Sequence, residues 1–260
     1  MPTFVTPGPI TAAVQVAGAR VRIAASDRTE TVVLVEPVDR ASPSDVKVAS
    51  RTKVDFAAGQ LTVKTTVSGD KKGSVAITID LPAGSGLAAH LAYSSVSADG
   101  PLGDCELHMA SGRALFDRID TLQANIAGGE LTIGDIAGRA IIGGSAVAMR
   151  VGHISADLVL SSGSGNLDID RADGSVTATT ADGAIRIGRL TRGRAELMNR
   201  SGTIEVGISE GTVARVDANS ERGSVRNSVS SPWGPGPFDG EVMVHARTRY
   251  GDIVVQHAAS

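Results

Sequence analysis

Aromatic residues are scarce in this 260-residue chain: one tryptophan, two tyrosines and four phenylalanines make up 3% of it. Any core must therefore be narrow and filled by Val, Ile, Leu and Ala. Cysteine is scarcer still. The single Cys105 excludes an intramolecular disulfide framework and a cysteine-based metal cluster, and it reads as a small core residue. No stretch approaches the ~18 consecutive apolar residues of a membrane-crossing helix. The first residues, MPTFVTPGPITAAVQVAGARV, have neither a basic start nor an unbroken apolar run, so no signal peptide is expected and the sequence reads as cytoplasmic. An excess of positive charge is missing as well. A formal net charge of −3 and a pI near 6.0 leave no electrostatic footprint for nucleic acid or acidic lipid.

Glycine, by contrast, is abundant at 31 residues, and it recurs with a period. With Gly112, Gly129, Val147, Gly165, Gly183 and Gly202 as a common starting slot, the spacings are 17, 18, 18, 18 and 19 residues. Such self-similarity predicts a solenoid. Two and four places after each start stand apolar pairs: Ala114 and Phe116, Leu131 and Ile133, Met149 and Val151, Leu167 and Ile169, Ile185 and Ile187, Ile204 and Val206. That alternation predicts one half-buried strand per repeat. A second set of apolar pairs, such as Leu158 with Leu160 and Val176 with Ala178, predicts another strand further on. One repeat buries too few side chains to offset its backbone entropy, so the repeats must stack.

The outward slot between the two buried ones reads Thr132, Arg150, Asp168, Arg186, Glu205 and, if a further repeat starts at Gly223, Arg226. The signs alternate. In a parallel, in-register stack these side chains sit roughly 4.8 Å apart, where opposite charges attract and like charges repel. Exposed pairs contribute only about 0–1 kcal/mol each, so the ladder specifies register more than it stabilises.

Residues 1–85 lack the glycine period. Alternating segments near Ala13–Ile23, Thr31–Val35, Val46–Phe56, Leu61–Val67 and Ser74–Leu81, separated by turn-forming stretches, predict antiparallel strands on hairpins and no helix. The fold expected is all-β: a parallel β-solenoid of about 18 residues per rung over 86–260, with an antiparallel β-rich cap over 1–85, the two forming one continuous structural unit. The stretch SPWGPGPFDG at 231–240 interrupts the last rungs. Its Trp233 and Phe238 either lie back on the open end of the stack or project as a binding tip.

The PAGSG stretch after an apolar strand, the glycine-started repeats at Gly165, Gly183 and Gly202, the segment VDANSERGSVRNSVS and the closing ARTRYGDIVV together resemble the bacterial family known as domain of unknown function 4097. The resemblance covers nearly the whole chain. It implies β-strand repeats and the family's designation as candidate adhesins, some of whose members belong to envelope-stress systems. Its motifs are glycine and apolar patterns, which specify architecture and not activity.

No catalytic constellation is expected. His90 and His108, eighteen residues apart, fall on adjacent rungs, but a metal site needs a third ligand, which the repeat does not supply. Asp168 and Asp170 share a rung with opposite charges for neighbours, while Asp117 and Asp120 lie three rungs away, so ladder and turn roles are expected in place of glycan cleavage. GSGNLD at 163–168 sets its aspartate outward, unlike a calcium-binding roll. GGELTIGDIAG lacks the strand and helix of a nucleotide site, and Ser94, Ser95 and Ser161–Ser164 are turn residues without a histidine and carboxylate. No metal or cofactor is implied. The function expected is a non-catalytic scaffold that binds a protein partner or itself, with Trp233, Phe238, Ile253 and Val255 as interaction residues. A surface-exposed or envelope-associated adhesin recognising glycan or protein is the first alternative, and a glycan-active β-helix enzyme the second.

Overall fold

The computed structural model describes residues 1–65, 73–229 and 241–258. Two compact units divide the chain, Met1–Glu130 and Leu131–Ser260, and both are built of β-strands apart from one short helix. The first unit contains β1 (Thr3–Val5), β2 (Thr11–Ala17), β3 (Ala19–Ser26), β4 (Glu30–Pro37), α1 (Pro43–Arg51), β5 (Lys53–Ala57), β6 (Gln60–Lys64), β7 (Val75–Pro82), β8 (Gly86–Ala92) and β9 (Ser94–Met109). The long β10 (Gly112–Ile136) spans the division. In the second unit follow β11 (Ala140–Ile154), β12 (Leu158–Ser164), β13 (Leu167–Ala172), β14 (Val176–Asp182), β15 (Ile185–Leu190), β16 (Gly193–Ser201), β17 (Ile204–Ile208), β18 (Val213–Arg222), β19 (Val225–Asn227), β20 (Glu241–Tyr250) and β21 (Ile253–His257).

In the first unit β2 lies between β6 and β8, and β3 lies between β7 and β9. All four pairings are parallel. This corrects the expected hairpins: among the described residues, antiparallel pairing is confined to β1 with β4, β4 with β7, and β5 with β6. Alternation of buried and exposed residues reveals a half-buried strand but not its partner's direction, because both sheet types alternate identically. Direction is set by the connection. Between β2 and β3 it is Gly18 alone, at φ 63°, which bends the chain around a corner without reversing it.

The helix α1 is a second correction. Val46 and Val48 suggested a strand, yet the preceding residues carry a helix start: Ser42 caps, Pro43 opens the first turn, and the Asp45 amide donates to the Ser42 hydroxyl at 3.4 Å. Proline at the first position and an acidic residue in the first turn favour a helix. Asp45 is buried and accepts from the amides of Ser74 and Asp39, both at 3.0 Å, which ties the helix to the strands beside it.

The second unit has two parallel faces. On one, β11, β12, β14, β16, β20 and β18 lie side by side; on the other the order is β11, β13, β15, β17, β21 and β19. Residues eighteen apart stand next to one another, Met149 beside Leu167 and Leu167 beside Ile185. The resulting columns are closed to solvent. Leu167, Ile169, Ile185, Ile204, Ile253 and Val255 are all 0% exposed.

The order of layers is a third correction. Arg226 does not follow Glu205, because Glu205 is paired with Val254, and Arg226 lies on the far side of Val254. The last strands in sequence, β20 and β21, are inserted between β16–β17 and β18–β19. Composition explains the exchange. Val242 and Ile253 occupy slots where β18 and β19 have Ala214 and Val225, and Val255 stands against Asn227. The larger side chains give about 2 kcal/mol more when buried on both sides, before any cost of enclosing the Asn227 amide.

Candidate interaction sites

The outer surface of the second unit is a lattice of ion pairs. Arg150, Asp168, Arg186 and Glu205 are consecutive neighbours in register, yet the shortest contacts are partly diagonal. Arg186 reaches Asp168 at 3.0 Å, while Arg150 reaches across to Asp170 at 3.0 Å. Both aspartates are thus held by arginine, as expected of ladder residues, and Asp117 accepts from the Gly100 amide at 3.3 Å as a turn residue does. His90 and His108 are direct register partners whose rings stack at 4.8 Å between centroids. His108 Nε2 also lies 2.8 Å from Glu106. Among the described residues no group of three or more His, Cys, Asp or Glu is arranged to hold a metal ion.

Sequence reasoning missed His153. Its ring bridges two carboxylates, Nδ1 to Asp135 at 3.2 Å and Nε2 to Asp173 at 2.9 Å. The hydrogen bond to Asp173 and the charge of Asp135 raise its pKa above the ordinary 6.5. For Asp173, partial burial opposes ionisation, but hydrogen bonds from Arg171, His153 and Thr191 outweigh it and hold the carboxyl well below the usual range. Thr191 donates to Asp173 at 2.8 Å, so its hydroxyl is engaged by the carboxylate and not by the imidazole; no relay to a nucleophile is formed. Cys105 is buried, and that burial pushes its thiol up to about 12, which makes it inert as a nucleophile at neutral pH.

Of the four expected interaction residues, Trp233 and Phe238 lie outside the described residues. Ile253 and Val255 are inside the core, on a strand with neighbours on both sides. Among the described residues, the outer edge of the second unit belongs to β18 and β19. Among the described residues no strand pairs with their outer side, and Val216 and Ala218 are only half-buried while Val225 is 44% exposed.

A second feature that sequence reasoning missed is Tyr93. It sits between β8 and β9 with φ 50° and 79% of its surface exposed. The left-handed region costs a non-glycine residue roughly 1–2 kcal/mol, and the neighbouring layer has Gly18 at this corner. The corner is held firmly. Ser94 Oγ accepts from the Ala19 amide at 3.1 Å and donates to the Ala92 carbonyl at 2.9 Å, and Gly112 lies so close that a Cβ would meet the Ser94 carbonyl oxygen at 1.8 Å.

Among the described residues no helix is long and apolar enough to cross a membrane. No curated protein matches the chain. Solved structures similar to it include a candidate adhesin from Bacteroides fragilis, 12% identical with a TM-score of 0.44, the match covering 98% of this chain and 95% of that one. Another is a candidate adhesin from Parabacteroides merdae, 11% identical, TM-score 0.48, with 98% and 94% covered. A candidate lipid-binding protein from Parabacteroides distasonis is 13% identical, TM-score 0.35, with 99% and 94% covered. The family model Toastrack DUF4097 matches residues 12–233, a span that holds the glycine-started repeats from Gly112 to Gly202 and the strands from β3 to β19, so the chain belongs to the Toastrack DUF4097 family.

Proposed function

We propose that this protein is a non-catalytic scaffold that associates with a second copy of itself through the free edge of β18 and β19. In this reading the strands of the second unit form a solenoid with rungs of about eighteen residues, and within the first unit the antiparallel β1, β4 and β5 cap its parallel strands. The observation that carries the proposal is the incomplete burial of the outermost layer. Val216 is half-buried although its register partner Val244 is 0% exposed, and an open edge presents unpaired backbone donors and acceptors as a template for another strand.

The edge sequence is self-complementary. If two copies of VARVDANSER pair antiparallel about Ala218, Arg215 of each faces Glu221 of the other, which Arg249 of its own chain also reaches at 3.4 Å, and Asp217, held by Arg247 of its own chain, faces Asn219. No like charges are opposed. Such an isologous contact closes on a two-fold axis and gives a dimer and not a fibre. The ionisable groups elsewhere support a structural role: Asp168, Asp170 and Asp173 are engaged by Arg150, Arg171 and Arg186.

Light scattering on the full chain over a concentration series tests this. A dimer is expected, and a double substitution, Val216→Lys with Val225→Lys, is expected to give a folded monomer. A full chain that stays monomeric throughout, or a dimer that the substitutions leave intact, rejects the reading.

A further inference from the structure

We propose that the groove beside Tyr93 binds a carbohydrate carrying a carboxylate, with a sugar ring stacked on the tyrosine and the carboxylate held by Arg20. The groove is a shallow, open depression wholly in the first unit, lined by Tyr93, Arg20, Ser95, Ser111, Arg113 and Glu130 among others. This inference is independent of self-association, since it uses neither β18 nor β19.

The first argument is that neither the turn nor the core accounts for tyrosine at position 93. Its backbone is in the region glycine prefers, and the residue is 79% exposed. A residue held in a strained conformation against local preference points to a role outside the fold. The ring is large, flat and apolar on its faces with a polar tip, which suits the C–H face of a pyranose whose hydroxyls lie around the rim. Ser94 and Gly112 fix the corner that presents it, so little freedom is lost when a ligand stacks there.

The second argument is the column of polar groups beside the ring. Ser95 stands in register between Arg20 and Arg113, at spacings of roughly 4.8 Å. Arg113 is oriented by Glu130 at 2.7 Å, and the pair offers both donors and an acceptor. Hydroxyls of Ser95 and Ser111 do the same, since each can donate and accept. A ligand rich in hydroxyls satisfies this lining, whereas an acyl chain leaves it unpaired.

The third argument is charge. Among the described residues Arg20 has no ion-pair partner, and its guanidinium matches a planar carboxylate through two parallel hydrogen bonds. Arg113, already engaged by Glu130, supplies orientation in place of net charge. An acidic sugar is thereby favoured over a neutral one.

Isothermal titration of the full chain with tetragalacturonate, a hyaluronan tetrasaccharide and sialyllactose, beside neutral cellotetraose, provides the test. Saturable binding of at least one acidic glycan is expected, at least tenfold weaker for cellotetraose and at least tenfold weaker after Arg20→Gln. Tyr93→Gly relieves the backbone, so it is expected to abolish binding while the thermal midpoint stays equal to or above that of the parent. Absence of binding by all three acidic glycans, or binding unchanged by Tyr93→Gly, overturns the proposal. So does a lowered midpoint in Tyr93→Gly, which makes the ring a packing element, or a changed oligomeric state, which makes the groove a protein contact.

Discussion

Val244 on β20 is the register partner of Val216 on β18, yet Val244 is 0% exposed while Val216 is only half-buried. The earlier residue in sequence is the outer one in space. Truncation to alanine is therefore expected to separate the two sites: Val244→Ala costs about 1.5–3 kcal/mol, and Val216→Ala less than about 1 kcal/mol. Chemical denaturation of both variants checks this. Equal losses mean that the layers are ordered otherwise.

Columns inside the stack and columns on its surface respond to charge in opposite ways. Ile185 is 0% exposed between Leu167 and Ile204, so Ile185→Asp buries a carboxylate without a partner and is expected to cost more than about 4 kcal/mol. Asp168→Asn removes an exposed contact to Arg186 and is expected to change stability by less than about 1 kcal/mol. Circular dichroism melting distinguishes them.

The network of Asp135, His153 and Asp173 makes stability depend on pH from both sides. His153 has a raised pKa, so its contribution is complete below the ordinary value of 6.5 and is lost as pH rises through the raised value. Asp173 has a lowered pKa; its contribution is complete above its ordinary 3.8 and is lost as pH falls through the lowered value. The network is strongest between roughly pH 4 and 6.5. His153→Gln is expected to cost up to about 1 kcal/mol near pH 5.5 and less at pH 9. Melting curves showing the same loss at both values contradict this.

Helix α1 depends on its cap. Ser42→Ala is expected to cost about 1 kcal/mol. Asp45, held ionised by the Ser74 amide and then the Asp39 amide, contributes above its ordinary pKa and loses that contribution as pH falls through the lowered value. In Asp45→Ala the first unit is expected to melt earlier at pH 7, with a difference from the parent that narrows toward pH 2. A difference independent of pH assigns the residue a packing role alone.

The inward columns were legible because glycine corners and alternating Val, Ile and Leu repeat together: Leu167, Ile169, Ile185 and Ile187 all appear in the core where the period assigns them. Layer order was not legible. Val225 and Ile253 both fit the same slot, and only long-range competition for the inner position decides between them. Helix α1 was legible in Ser42, Pro43 and Asp45 but was outvoted by the alternation of Val46 and Val48. His153 carried no local signal, because its carboxylates come from neighbouring layers eighteen and twenty residues away. Tyr93 carried one that went unread: an aromatic at the corner between β8 and β9, where the layer formed by β2 and β3 has Gly18.

Hydrogen–deuterium exchange of the full chain, at low and high protein concentration, tests the central claim most directly. With β20 and β21 inside the stack and β18 and β19 at a self-associating edge, the carboxyl-terminal strands are expected among the slowest amides at both concentrations. Amides of β18 are expected to exchange fast in dilute protein and to slow at high concentration. Rapid exchange of β20 and β21, or an edge whose rates ignore concentration, contradicts the account.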